Sequence, residues 1–517
     1  MSTTIEISPL TRIEGHLAIH TESEPITSSD GKTSHRINKA RCEGEMFRGF
    51  EKILVGRDPL DAQQIVQRIC GVCSIEHGIA SCRAQEMAYG IKIRGNGRRL
   101  QNLMLAAEYA HSHLLHFYHL SAVDFVDITA ILKYTGNDRT LKGVKGWAEA
   151  ALARSKAATE AFPIAPFLPR YEGDFYIKDV DTNCALIAHY AEALDVRRTA
   201  HEMCAVFGAR LPHSTALVPG GVTQCPTEER YLTYLSRLKR VQEFVENVYL
   251  PDIVTAAQAF PEYWNAGAGY GNLLSYGVFE NDDAGRTLFT PGAIINGKYE
   301  PLDVNAITEE VGSSRFAAGS PKHPSKGETI PESGKAGAYS WLKAPRYKGK
   351  PMEVGPLARV LVDYNSPGGG VVKKDVDDLL KALSLPPEKL NSVLGRILSR
   401  AVELRIILRQ AYRWLDELEI NGNPTQDFTP VKSGSGYGLT EAARGALGHW
   451  ISIDNYKISN YQCVVPTTWN CSPRDDKGQP GPVEKALEGV MVTDPKQPME
   501  AARVIRSYDP CLACAVH

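Results

Sequence analysis

The chain of 517 residues is almost electrically neutral, with 58 Lys and Arg residues against 60 Asp and Glu residues and a net charge of −2. The absence of a basic stripe or polybasic segment argues against binding to nucleic acid or to an anionic membrane surface. Hydrophobic residues make up 43% of the chain, enough for a large core. No apolar run approaches the ~20 residues that span a bilayer. The N-terminus lacks the pattern of a secretory signal, so we expect a soluble protein made in the cytoplasm.

The first predicted elements are strands. Apolar and polar residues alternate in "TIEISPLTRIEGHLAIHTE", which predicts a strand with a turn near Pro9, and a second strand-like stretch precedes "CEGEMFRGFEKIL". From Leu100 onwards the apolar residues change to helical spacing over a long element. Three further helices are predicted: residues 183–207 with Gly208 as the stop, a helix after Pro226, and another after Pro386-Pro387.

These helices indicate the fold class. Four long amphipathic helices cannot bury their apolar faces alone, so we expect an α+β, predominantly helical fold with a long-helix bundle as its core. The Gly- and Pro-rich region 279–370 is predicted to form loops and short strands over this bundle. The length would allow about three domains, but no linker is visible. We therefore expect one interlocked domain over residues 1–517.

The cysteines fall into two groups. Four of the eleven form two C-x-x-C pairs near opposite ends of the chain, Cys70/Cys73 and Cys511/Cys514. The odd total argues against a disulfide framework. Seven are isolated and are expected to be buried small side chains: Cys42, Cys82, Cys184, Cys204, Cys225, Cys463 and Cys471.

The chemistry of the two pairs alone leaves their role open. One C-x-x-C can be a redox disulfide, half of a zinc site or a chance occurrence. Structural zinc usually takes its two pairs from a compact module with about 15–20 residues between them, whereas here almost the whole chain intervenes. Four soft thiolates suit nickel, iron, zinc or copper(I). Structural zinc and a catalytic thiolate site are therefore both open.

The sequences around the cysteines favour catalysis. "QRICGVCSIEHGIAS" and "SYDPCLACAVH" resemble the two signature motifs of the large, catalytic subunit of nickel–iron hydrogenases. The resemblance extends in order through "TRIEGH", "MFRGFEKILVGRDPLDAQ", "EAARGALGHW" and "NYQCVVPTTWN", and is strongest for the uptake or respiratory group. It implies the large-subunit fold of this family. It also implies reversible heterolytic cleavage of H2 to protons and electrons, in the uptake direction.

The resemblance assigns the metal ligands. It implies that Cys70, Cys73, Cys511 and Cys514 bind nickel, and that Cys73 and Cys514 also bridge to an iron that carries CO and cyanide. Cys511 is then the first proton acceptor, and Glu14 passes the proton on. A carboxyl group with a suitable pKa can carry protons in both directions.

Further residues are implied around this centre. Arg444 is expected above the metals with Asp509 as its carboxylate partner, and His77 near a bridging thiolate. The residues implied to line the iron's diatomic ligands are Ala443, Leu447, Pro466 and Thr467.

Two residues depart from the family pattern. Ala443 stands where proline is usual before the arginine, and Ser112 stands where an aspartate is usual between two histidines. Serine carries no charge, so Asp509 is left as the expected carboxylate partner of Arg444. The neighbouring histidines are expected to pack or to form hydrogen bonds rather than to bind metal: His111, His113, His116 and His119.

A second metal is implied near the C-terminus. Glu51, His517 and the backbone carbonyl of Cys463 match the ligands of a magnesium-type site. Oxygen ligands and waters suit octahedral magnesium. Precursors in the family carry an extension that is removed after this histidine, and the ending of the sequence matches the processed form.

Partners follow from the same resemblance. The chain lacks cysteines for its own electron-transfer chain, so an iron–sulfur small subunit is expected, in a dimer of heterodimers or a larger assembly. Membrane contact is expected only through partner subunits, and the final location is the cytoplasm, the membrane or the periplasm, reached with the small subunit.

Two alternatives to a hydrogenase are a structural zinc-binding helical scaffold without catalysis and the related quinone-reductase subunit. The second lacks the metal cysteines that this chain retains.

Overall fold

The computed structural model describes residues 3–156, 171, 173–319 and 321–517. The strands are β1 Thr3–Ile7, β2 Leu17–Thr27, β3 Thr33–Gly44, β4 Leu217–Val218, β5 Gly221–Val222, β6 Leu273–Ser275, β7 Val278–Glu280, β8 Thr287–Phe289, β9 Gly292–Ile295, β10 Lys298–Glu300, β11 Ile307–Glu310, β12 Ala344–Tyr347, β13 Gly434–Ala442, β14 Gly445–Asp454, β15 Lys457–Val464 and β16 Met491–Val492. The helices are α1 Phe50–Leu54, α2 Ala62–Val66, α3 Ser74–Tyr89, α4 Gly95–Leu114, α5 Arg139–Lys156, α6 Val180–Gly208, α7 Glu228–Phe244, α8 Leu250–Ala259, α9 Pro356–Asn365, α10 Lys373–Leu383, α11 Val393–Asp416, α12 Pro466–Asn470, α13 Pro482–Leu487, α14 Met499–Ser507 and α15 Leu512–Ala515. Within these ranges, no helix combines the length and the apolar surface needed to cross a bilayer.

The long helices predicted from the apolar spacing are present. α4 begins at Gly95 and continues as a π-helical segment over Leu115–Ser121, and α4, α6, α7 and α11 pack against one another. Hydrogen bonds at the N-termini explain where three of them begin: the side chains of Asp179, Thr227 and Ser392 accept from backbone N–H groups in the first turns of α6, α7 and α11.

The fold as a whole is mixed α/β: the packed long helices form one part of it and the strands another. β13, β14 and β15 form an antiparallel sheet that packs on α3. The region 279–370 contains short strands, as predicted, but also α9. Pro356 occupies the first turn of α9, where its missing N–H costs nothing and its fixed φ favours a helix. The Gly- and Pro-rich surroundings obscured this helix in the sequence.

The two ends of the chain are joined by backbone hydrogen bonds. β16 pairs with β3 in the order β1-β2-β3-β16, so a late strand completes the N-terminal sheet. Glu14 forms a parallel bridge with Cys511, in which Glu14 N–H donates to Pro510 O at 3.2 Å and Leu512 N–H donates to Glu14 O at 2.8 Å. We propose on this basis that the chain folds as one interlocked domain.

Asp124 forms a buried ion-pair cluster at the same junction. Its carboxylate accepts two hydrogen bonds of 2.9 Å from Arg506 of α14 and pairs with Arg12, close to Glu14 in the chain. Arg506 also donates to Thr11 O at 3.0 and 2.9 Å. The cluster therefore links the segment that carries Glu14 to the helix that precedes Cys511.

Replacing Asp124 by Ala should destabilise the whole chain. Arg506 would remain buried without its counter-ion, which costs about 3–5 kcal/mol. Urea unfolding of the purified subunit measures the loss, and a single transition should shift as a unit. The control is Asp378→Ala, which removes an exposed partner of Lys374 and should change little. Two separate transitions would contradict the single-domain proposal.

Candidate metal centre

Four cysteine thiols from the two ends of the chain meet in one buried cluster. Cys70 follows a short 3₁₀ turn and Cys73 immediately precedes α3, while Cys511 immediately precedes α15 and Cys514 lies within it. Their Sγ atoms all lie within 4.8 Å of one another. All four are free thiols, and each is at most 3% exposed. The predicted pairing of the two C-x-x-C motifs in space is thus present.

The chemistry of this cluster fits a bound cation. Cys70 Sγ lies 3.4 Å from Cys511 Sγ, Cys73 Sγ lies 3.0 Å from Cys514 Sγ, and Cys511 Sγ lies 2.9 Å from Cys514 Sγ. Burial raises the pKa of Cys511 well above its usual range and that of Cys514 to about 12. Thiolates this crowded and this dry need a cation to offset their charge, and soft metals such as nickel and iron suit four sulfur ligands.

Glu14 connects the cluster to the surface. Its Oε2 lies 3.1 Å from Cys511 Sγ and accepts a hydrogen bond of 2.8 Å from Ala513 N–H. Burial raises the pKa of Glu14 above its usual value. The residue also lines a surface cavity of about 230 Å³ together with His16 and Arg48. Glu14 can therefore exchange protons with a buried thiol on one side and with solvent on the other.

Arg444 lies beside Asp509, as the sequence predicts. Arg444 Nη2 lies 3.1 Å from Asp509 Oδ1, and both side chains are buried. Burial opposes ionisation of Asp509, but the positive charge of Arg444 holds its pKa below the usual range. Among the described residues, no side-chain nitrogen of Arg444 has a partner with hydrogen-bond geometry. These donors are available to a ligand of the centre.

The two departures from the family pattern have different surroundings. Ser112 is fully buried, and its Oγ has no hydrogen-bond partner among the described residues. Ala443 N–H donates to Glu76 Oε1 at 3.2 Å, a bond that proline could not make. Neither Glu76 nor this bond could be inferred from the motif.

The histidines of α4 and its π-helical extension bind protein groups, as predicted. His111 Nε2 lies 3.1 Å from Val72 O, and His113 Nε2 lies 2.5 Å from Glu403 Oε1. His116 Nε2 lies 2.7 Å from Arg506 O. The ring of His119 packs edge-on against Tyr190, with 4.7 Å between centroids.

His77 links a thiol to a second histidine that sequence reasoning missed. His77 Nε2 lies 3.5 Å from Cys514 Sγ, and its Nδ1 lies 3.1 Å from His449 Nε2. His449 Nδ1 in turn lies 2.8 Å from Tyr461 Oη. Burial lowers the pKa of His77 to about 3, so its ring is neutral at pH 7. The chain of hydrogen bonds fixes which way the His77 ring faces.

The residues implied to line the iron ligands are all buried. Thr467 Oγ1 accepts a hydrogen bond of 2.8 Å from Cys511 N–H, which leaves the hydroxyl proton free to donate elsewhere. Pro466 begins α12, and α12 packs on both α15 and β14. Leu447 and Ala443 are buried in β14 and in the turn before it.

A second polar cluster surrounds Glu51. His517 Nε2 lies 3.3 Å from Glu51 Oε1, and Cys463 donates its N–H to the same oxygen at 2.8 Å. Lys343 Nζ lies 3.2 Å from Glu51 Oε2 and 3.4 Å from Glu309 Oε2. Burial opposes ionisation of Glu51, but Lys343 and His517 outweigh it and hold its pKa well below the usual range. Lys343 and Glu309 carry no sequence signal that links them to this site.

The fold and the centre together define a metal-dependent enzyme with a buried thiolate site and an adjoining proton acceptor. A sequence model of nickel-dependent hydrogenases matches residues 48–517. The chain therefore belongs to the nickel-dependent hydrogenase family and is a large subunit of such an enzyme.

Individual relatives agree with this family. The large subunit of the periplasmic [NiFeSe] hydrogenase of Desulfomicrobium baculatum is 42% identical, over 99% of this chain and 94% of the relative. The uptake hydrogenase large subunit of Bradyrhizobium diazoefficiens is 37% identical, over 99% and 95% of the two chains. The solved structure of the H2-activated D. baculatum [NiFeSe] hydrogenase matches with a TM-score of 0.87 at 42% identity, and both chains are fully covered.

Replacing Lys343 by Met should destabilise the chain in a pH-dependent way. The lowered pKa of Glu51 contributes stability above its ordinary value of 4.5 that is lost as the pH falls. Without Lys343, we expect a loss of about 3–5 kcal/mol at pH 7 and a smaller loss near pH 4. Urea unfolding at the two pH values measures this. The control is Lys373→Met at the surface, and an equal loss at both pH values would contradict the assignment.

Proposed function

We propose that this subunit splits H2 heterolytically into protons and electrons, in the uptake direction, at a nickel–iron centre. One observation carries the proposal: four buried thiols from both ends of the chain lie within 4.8 Å of one another, with the Glu14 carboxylate on one of them. The alternative of a zinc scaffold without catalysis is not favoured, because relatives along the whole chain are hydrogenases.

The four cysteines supply the ligands. We assign Cys70, Cys73, Cys511 and Cys514 to nickel, and Cys73 and Cys514 also to an iron that carries CO and cyanide. When bound, a nickel–iron centre would supply the means to polarise the H–H bond and to take up the electrons. The name of one relative includes selenium, whereas this chain has cysteine at all four positions. Thr467, Pro466, Leu447 and Ala443 would enclose the diatomic ligands.

Protons leave through the protein's own groups. The Cys511 thiolate accepts the proton of the split H2, and Glu14 Oε2, 3.1 Å away, takes it from sulfur. The cavity beside Glu14 gives the proton a route to water. Arg444 holds a positive charge next to the thiolates, paired with the Asp509 carboxylate at 3.1 Å, which favours separation of charge when the bond is broken.

Electrons require a partner. Among the described residues, the four-cysteine group is the only cluster of three or more metal-ligating side chains that could hold a metal. The relatives are named large subunits or large chains, which agrees with a smaller companion. We assign an iron–sulfur small subunit to this role, in a dimer of heterodimers or a larger assembly, and propose that it determines the final location.

The cluster around Glu51 would hold a magnesium ion. Glu51 and His517 offer ligand atoms 3.3 Å apart, a separation that one ion can bridge, and the Cys463 carbonyl is the third proposed ligand. Water would complete the octahedron. Such an ion would anchor the residues that follow Cys514.

Metal analysis with infrared spectroscopy tests the centre. The purified complex should contain nickel and iron and show bands of metal-bound CO and cyanide. Cys511→Ser should lose nickel or H2 oxidation. The serine hydroxyl is a harder and weaker ligand for nickel than a thiolate, and it does not accept a proton as a thiolate does. The control Cys225→Ser changes an isolated cysteine and should keep both. Zinc alone, without these bands in the mature complex, would overturn the proposal.

Glu14→Gln should block proton transfer while the metals stay bound. Glutamine can still accept the Ala513 N–H but cannot take a proton, so H2 oxidation and exchange of H2 with D2O should fall about 10²–10⁴-fold. Nickel content should not change. Glu22→Gln, on the exposed face of β2, is the control. Undiminished exchange with D2O in the Glu14→Gln variant would refute the relay.

A further inference from the structure

Glu76 of α3 and Glu108 of α4 are two buried carboxyl groups that the proposed chemistry does not use. Both are fully buried. The two carboxyl groups share a hydrogen bond with each other, and within the described residues neither of them forms an ion pair with a Lys or Arg side chain. Buried carboxyl groups without a counter-ion are costly, so their position calls for a role.

Each carboxyl group binds one backbone N–H next to the metal centre. Glu108 Oε2 accepts from Ile75 N–H at 3.0 Å, in the first turn of α3, two residues after Cys73. The residue before α3 makes no side-chain cap, so Glu108 satisfies a donor that would otherwise be left unpaired. Glu76 Oε1 accepts from Ala443 N–H at 3.2 Å.

The Ala443 bond lies in the turn that carries Arg444. Ala443 and Arg444 are the two residues between β13 and β14. Arg359 donates to Ala442 O at 2.9 Å and to Ala443 O at 2.8 Å. Arg359 therefore binds the carbonyl groups at this turn, and Glu76 binds the N–H group of Ala443. Within the part of the chain that the structure describes, the Arg444 guanidinium has one ion pair, with Asp509, and no hydrogen bond, so its position depends on the backbone of this turn.

We propose that Glu76, supported by Glu108, is a positioning residue that holds the Arg444 guanidinium over the four cysteines through the Ala443 N–H. The inference rests on the proposed function, since it concerns how Arg444 acts there. It assigns a role to the hydrogen bond between Ala443 and Glu76, which neither of the two cysteine motifs predicts.

The protonation of the pair agrees with this role. Burial, and then the charge of Glu76, raise the pKa of Glu108 well above its usual range. Burial raises the pKa of Glu76 to about 7. A proton kept on Glu108 leaves Glu76 as the acceptor of the Ala443 N–H, with at most one negative charge between them.

Four variants of the purified complex test the proposal, with turnover measured per bound nickel and infrared bands of the CO and cyanide ligands as the second readout. Glu76→Met and Ala443→Pro each remove the bond and should lower turnover about tenfold or more, with the same shift of the bands. Glu76→Gln keeps an accepting oxygen and should behave like the wild type. The double variant Glu76→Met/Ala443→Pro should be no worse than either single variant.

Glu86→Met is the matched control. Glu86 lies on the same helix, is also buried and also accepts from a backbone N–H, that of Gly220 at 2.8 Å, but it does not bind the Arg444 turn. Its loss should leave turnover per nickel and the bands unchanged. If Glu76→Met does not accumulate, Ala443→Pro decides alone: unchanged turnover and bands overturn the proposal.

The outcomes separate this inference from the proposed function. Wild-type complex without nickel or without CO and cyanide bands would remove the proposed function. Normal wild-type bands, together with equal losses in Glu76→Gln and Glu76→Met or with multiplying losses in the double variant, would overturn only the role of Glu76.

Discussion

The structure depends on one closure, in which Cys70 and Cys73 meet Cys511 and Cys514 across 441 positions of the sequence. Joining ends that far apart costs roughly 5 kcal/mol of chain entropy. Several interactions offset this cost at the same junction: the pairing of β16 with β3, the Glu14–Cys511 bridge and the ion pairs of Asp124. The four cysteines are thus brought together by interactions in which their own side chains take no part.

The long helices were predictable because each carries its own signal, whereas the sheet on α3 was not. Gly436 and Gly438 of β13 weaken the strand pattern, since glycine disfavours strands. The structure shows why they are there: a Cβ on Gly438 would lie 1.9 Å from Ala80 O, and one on Gly436 would lie 2.2 Å from Ala84 O. Because the helix and the sheet lie so close together, these positions cannot carry the larger side chains whose alternation would have predicted the strand.

The candidate site divides in the same way. Its cysteines, Glu14 and Arg444 stand in recognisable motifs, so the sequence offers them as candidates. Lys343 and Glu76 could not be found, because each acts on a residue hundreds of positions away: Lys343 on Glu51, and Glu76 on Ala443. Such partners become visible only when the fold brings them together. Candidate residues that stand in motifs can therefore be found in the sequence, whereas the groups that contact them cannot.

The distance between the two cysteine pairs also fixes an order of events during synthesis. A ribosome adding about 5–20 residues per second needs roughly 20–90 s to go from Cys70 to Cys511. Throughout that interval the first pair has no sulfur partners, and Glu14 has no Cys511 to contact. A metal ion that arrives early finds two thiols rather than four. The four-thiol cluster is therefore complete only after translation has passed Cys514, and the contact between Glu14 and Cys511 forms equally late.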